Sequence, residues 1–146
     1  MVGFKILSTP METIELKKYP ISSQTVLVGD LFELVAGATT WTATTATSNH
    51  FTRKVIAYEA ASTSATEFLG YEVLGNETVE AQCANTAAAA DNGDLMVLSD
   101  KNTVNNTHST STTEYACFMQ DRPGSTTTSI IGKVLVGNGV NPDATT

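Results

Sequence analysis

The chain has 146 residues, 41% of them hydrophobic and 16% charged, with a net charge of −7. That is the size of one ordinary domain with a real core, and the charge is too modest for a disordered chain. Fifteen acidic residues outnumber eight basic ones, whose only adjacent pairs are Lys17-Lys18 and Arg53-Lys54, which argues against nucleic acid as a partner.

Threonine stands out, with 24 copies. It is β-branched and suits exposed strand faces better than helices, so the composition leans all-β. No apolar run approaches the ~20 residues of a membrane-spanning helix, and no secretory leader is visible at the start. No membrane partner is expected, and synthesis in a cytosol is.

Residues 1–23 carry Lys5, Lys17 and Lys18 and two prolines, Pro10 and Pro20. They read as an extended N-terminal arm reaching away from a β-domain over 24–138; the alternative is a plain strand docked on its own core. "QTVLV" reads as a strand closed by Gly29. "DLFELV" alternates, placing Phe32 and Leu34 on one face and Leu31, Glu33 and Val35 on the other. The Thr-rich stretch from Ala36 to Phe51 reads as a long exposed connection or weak ribbon. "TRKVIAYEA" and "EFLGYEVLG" are strands, Gly75-Asn76 is a turn, and "ETVEAQCA" follows as another strand. "NTAAAADNG" has room for one helical turn. "DLMVLS" is a strand, "TVNNTHSTSTT" a polar loop, "EYACFMQ" and "IIGKVLVG" the last strands, and 139–146 a flexible tail.

Two stretches say nearly the same thing. Gly-Asp-Leu at 29–31 and at 93–95 each open an apolar run. After each come a Thr-rich loop (39–48; 103–113), a strand (54–60; 115–121), a Ser/Thr loop (62–66; 125–129) and a strand with an internal glycine (68–76; 130–138). The offsets stay between 61 and 64 residues. This implies two similar three-strand units closing one small β-barrel or sandwich, since one twisted sheet cannot hide its own apolar face. Gly29 and Gly93 are expected at tight strand starts, Asp30 and Asp94 as ligands of nearby amides there, and Gly70 and Gly132 at bends.

Signatures of catalysis are missing. His50 and His108 lie in polar loops without metal-ligand spacing, and no nucleophile elbow, phosphate loop or dinucleotide fingerprint occurs. No catalytic residue, cofactor or metal is therefore assigned. Glu77 and Glu80 read as solvated charge, Cys83 and Cys117 as buried free thiols. Trp41 reads as a core or partner anchor, with a sugar platform as the other possibility.

The series "GDLFELVAG … KVIAYEA … FLGYEVLGN … NGDLMVLSDKN … YACFMQD … IIGKVLVGN", over about residues 24–138, resembles the small β-barrel decoration (cement) proteins of tailed-phage capsids. The resemblance implies a non-enzymatic homotrimer on the outer capsid surface of the virion, stabilising contacts between major capsid proteins. It implies an N-terminal segment that reaches the capsid. In this chain that nominates Phe4, Ile6, Leu7, Ile14, Leu16 and Tyr19 as apolar anchors and Lys17 and Lys18 as pairs for capsid carboxylates. Two other readings stay open: a carbohydrate-binding module using Trp41, Tyr58 or Tyr71, and a low-copy tail or baseplate domain.

Overall fold

The computed structural model describes residues 2–10, 13–109 and 115–137, without the side chains of 108 and 109. The tail expected over 139–146 lies outside these residues, as does the side chain of His108. The described residues form eleven strands: β1 (Phe4–Ser8), β2 (Lys17–Pro20), β3 (Leu31–Leu34), β4 (Thr42–Ala43), β5 (Arg53–Ala57), β6 (Glu67–Glu72), β7 (Thr78–Gln82), β8 (Leu95–Asp100), β9 (Thr103–Ser109), β10 (Phe118–Pro123) and β11 (Ser129–Val134). One 3₁₀ turn, Ala89–Asp91, stands where the alanine run allowed a helical turn. The fold is all-β, as the composition predicts: two antiparallel sheets, one curled into a half-barrel.

The strand orders are β2-β6-β5-β3-β4 and β1-β7-β11-β10-β8-β9. Leaving β1 aside, these are the same order, with β2–β6 matched one for one by β7–β11. The repeat is thus larger than the three-strand unit read from the sequence. It holds at the level of single residues. Ala57 faces Gly70 as Gln120 faces Gly132, and Phe32 faces Val55 as Met96 faces Phe118. Tyr19 faces Phe68 as Ala81 faces Ile130.

The glycines sit where the repeat demands them. Gly29 and Gly93 have φ of 93° and 90°, left-handed values that favour glycine. Their amides donate to the equivalent carbonyls of Ala57 (2.9 Å) and Gln120 (2.7 Å). Asp30 does fix its strand start, its carboxylate accepting from the Leu27 amide at 3.0 Å. It also pairs with Lys101 of the second repeat at 3.0 Å, which ties the two halves together. At Gly132 a Cβ would land on the Met119 carbonyl, so the cross-strand backbone itself excludes a side chain.

The two copies stack head to tail, not face to face. In the first sheet Phe32, Val55 and Phe68 join Tyr19, Ile21, Val26 and Trp41 in one buried cluster. Phe32 and Phe68 have ring centroids 4.6 Å apart, and Trp41 meets Tyr19 edge-on at 5.2 Å. The equivalent face of the second sheet carries Met96, Phe118 and Ile130. It is completed by Leu31, Ile56 and Tyr71, which point from the opposite face of the first sheet. Trp41 plugs the first sheet's hollow; 63 residues on, Val104 is smaller, and the back of the first sheet fills the remaining space.

Several expectations need correction. Of the segment 1–23, the described strands are not an arm reaching away: β1 pairs with β7 and β2 with β6, so both belong to the sheets. The docked-strand alternative is the one observed, because alternation aims Phe4 and Ile6 into the core. "QTVLV" is no strand; only Val26 pairs, with Ala61, and Leu27 and Val28 are exposed. The polar stretch after Asn102 contains β9, whose threonines and asparagines serve as strand residues because Val104 is buried and β8 supplies a ladder. Glu77 and Glu80 are buried. Glu77 accepts from the Tyr71 hydroxyl and the Leu74 and Gly75 amides, closing the turn after β6. Cys83 and Cys117 are buried free thiols, as expected.

Candidate interaction surface

The eight residues nominated as anchors divide into two groups. Phe4, Ile6 and Tyr19 are buried in the chain's own core. Leu7, Ile14 and Leu16 are 42%, 40% and 39% exposed, and Lys17 and Lys18 are exposed beside them. The division follows from pairing: each β-strand has one inward and one outward set, and the nominated residues sample both.

Of this exposed set, Lys17 lines a surface cleft of about 240 Å³, together with Thr13, Glu15, Tyr19, Tyr71, Glu72 and Leu74. Its wall is rigid. Arg53 holds Glu72 by two 2.6 Å hydrogen bonds, and the guanidinium lies 5.5 Å from the Trp41 ring centre. That bidentate contact raises the Arg53 pKa. Burial raises the Tyr19 phenol, with the Glu72 charge adding to it. Tyr71 donates to Glu77 at 2.6 Å, and burial also raises its phenol. Both phenols stay neutral donors rather than acids. Lys17 and Glu15 form a loose exposed pair at 3.8 Å, a geometry worth little.

Leu74, 59% exposed, separates this cleft from a second hollow of about 430 Å³ lined by His50, Gly75, Asn76 and Val134–Val136. His50 packs on Phe51 with ring centroids 3.9 Å apart. Val2, Leu27 and Val28 form a further exposed apolar group where Gly3 and Gly29 touch. Sequence reasoning assigned none of these four aliphatic residues to a surface. The signal for Leu74 was present: it falls in the Gly75-Asn76 turn, where an apolar side chain has nothing to pack on.

The polar networks of the interior hold the scaffold together. Lys54 is fully buried, and its ammonium donates to the Asn49 carbonyl (2.6 Å), the Leu135 carbonyl (2.9 Å) and the Thr52 hydroxyl (3.1 Å). Thr52 in turn donates to Glu33, which also accepts from Ser48. Burial lowers the Lys54 pKa. Burial pushes the Cys117 thiol up to about 11, so it is not a thiolate at neutral pH. Of the residues in this network, Leu135 lines the second hollow, and Lys54, Thr52, Glu33, Ser48 and Cys117 line neither. Among the described residues no group of three or more His, Cys, Asp or Glu is placed to hold a metal, and no helix is long and apolar enough to cross a membrane.

Trp41 is an anchor in the core, 3% exposed, and Tyr71 is nearly as buried. Tyr58, the third residue of the carbohydrate reading, is partly buried against the second core cluster, and Tyr71 lines the cleft. Compared with models of known protein families and with curated proteins, the chain matches none.

Proposed function

We propose that this chain is a decoration protein of a tailed-phage capsid, bound outside the head as a homotrimer and bridging major capsid proteins. The observation that carries the reading is the exposure of Leu7, Ile14, Leu16, Lys17 and Lys18 on an all-β body, with Lys17 lining a surface cleft. The resemblance of the repeat to that family supports it as well. Such a body does no chemistry. A weak contact repeated over a symmetric shell becomes strong through effective concentration, and binding only the assembled shell stabilises it by mass action. With Phe4, Ile6 and Tyr19 in the core, contact falls to the exposed apolar residues and the two lysines.

The test is copy number. Virus particles banded on a density gradient are analysed by mass spectrometry for this chain against the major capsid protein. Copies in the hundreds, near a simple ratio, are expected. A handful would move the chain to a tail or baseplate, and absence from particles would discard the viral reading. In particles that carry it, Leu16→Asp should reduce occupancy while leaving the unfolding midpoint unchanged, since Leu16 lies outside both cores.

A further inference from the structure

The internal repeat marks a place for a strand that the described residues do not supply. The edge of β7 that faces away from β11 pairs with β1, with Lys5 opposite Glu80 and Ile6 opposite Val79. The matching edge in the first sheet is that of β2 facing away from β6, and among the described residues no strand pairs there.

The hydrogen-bond phase is the same at both places. The Ile21 amide donates to the Thr66 carbonyl at 3.0 Å, and the equivalent Cys83 amide donates to the Thr128 carbonyl at 2.9 Å. In an antiparallel ladder alternate residues bond to opposite sides. The backbone groups of Lys18, like those of Glu80, therefore point to the outer edge. The site has a defined end. Pro20 has no N–H, and its carbonyl accepts from the Trp41 amide at 2.8 Å, so added pairing stops at Tyr19. The edge on offer is Leu16–Tyr19.

Charge decides what fits. On β7 the outward residue is Glu80, and Lys5 lies opposite it and helps to lower its pKa. On β2 the equivalent is Lys18, which is exposed and makes no ion pair among the described residues. A copy of β1 from a second molecule would set Lys5 against Lys18, and like charges directly opposite are destabilising. Leu16, two residues along on the same face, is exposed and apolar.

We propose that the β2 edge at Leu16–Tyr19 accepts an antiparallel strand of a protein partner that sets a carboxylate opposite Lys18 and an apolar side chain opposite Leu16. The partner segment reads acidic-x-apolar. This is strand addition, in which backbone bonds give affinity and alternate side chains give selectivity. The inference goes beyond the capsid reading and does not depend on it.

The test titrates the isotope-labelled chain with the peptide acetyl-Thr-Glu-Val-Leu-Thr-amide, read by amide NMR shifts, and with the same peptide carrying Lys for Glu. Shifts should centre on residues 16–19 and β6, and the Glu peptide should bind about threefold tighter or more, the size of one exposed cross-strand charge pair. Lys18→Glu should invert that preference. Lys18→Pro, which removes an outward donor without touching the β6 ladder, should abolish binding while the remaining spectrum persists. Equal binding of the two peptides, no inversion, shifts centred elsewhere, or none at the highest soluble concentration would each overturn the proposal. Because the assay uses the isolated chain, its failure leaves the particle copy number unaffected.

Discussion

Replacing Lys54 with methionine tests the interior most directly. The substitution keeps the apolar stem and removes the ammonium, together with its bonds to Asn49, Leu135 and Thr52. Two partly buried carbonyls lose a donor, at about 1 kcal/mol each, toward the low end for a buried group. Glu33 also loses the nearby positive charge, and breaking one side of a buried charged network costs about 3–5 kcal/mol. Relief of the ammonium's own desolvation acts the other way, so we expect a net loss of about 3–5 kcal/mol. The assay is urea unfolding, with an unchanged slope required for a pure stability effect. Lys54→Met with Glu33→Gln should recover about 1–3 kcal/mol relative to additivity, because the residues are linked through Thr52. The pH dependence has a definite sign. Burial lowers the folded Lys54 pKa below its ordinary 10.5. Between those two values the unfolded chain binds the extra proton, so this residue's contribution to stability rises with pH. The difference between wild type and Lys54→Met should grow in that alkaline window, whatever the tyrosines and thiols do to both. A single variant within about 1 kcal/mol of wild type, or a cycle with no coupling, would refute the network.

Further outcomes follow from the packing. Phe4→Ala should cost about 3–5 kcal/mol, as for any large core ring; a value near zero would restore the free-arm reading. Gly132→Ala should cost more than Gly93→Ala: the first meets the Met119 backbone, the second only the strain of its positive φ, about 1–2 kcal/mol. Glu80 accepts from the Ser125 amide and hydroxyl and from Ser129, all at 2.6–2.7 Å, which holds its pKa down against burial. Its stabilisation should be full above the ordinary value of 4.5 and lost as pH falls through the lowered one; Glu80→Gln should flatten that acid limb. Neither cysteine should react with a maleimide in the native state, and both should on denaturation, since both are buried.

The fold class was legible because it rests on local signals. Threonine content, alternation in "DLFELV" and glycine punctuation each act within a few residues, and the 61–64 residue offset survived into the strand order. What the sequence hid depends on partners far along the chain. Phe4 and Tyr19 look alike as arm or core until β7 and β6 are known to lie beside them. β9 resembled a loop because its residues are polar, yet a ladder with β8 needs backbone more than side chains. Glu77 and Glu80 read as solvent charges because a carboxylate capping a turn or a serine pair carries no mark of its own. The nominated anchors divide between core and surface for the same reason: pattern identifies apolar residues, and only pairing tells which way they face.

Placing β1 on the second sheet has a consequence for how the molecule is made. The first repeat, residues 17–72, can pair its strands as soon as it has been synthesised. The strand that precedes it cannot, because its partner β7 ends at residue 82 and the surface that receives Phe4 needs Phe118 as well. β1 is thus among the last strands to find its place. Until then the second sheet has an open side. β1 serves as a closing latch for the second sheet, and a chain lacking β1 is left with an unpaired β7 edge.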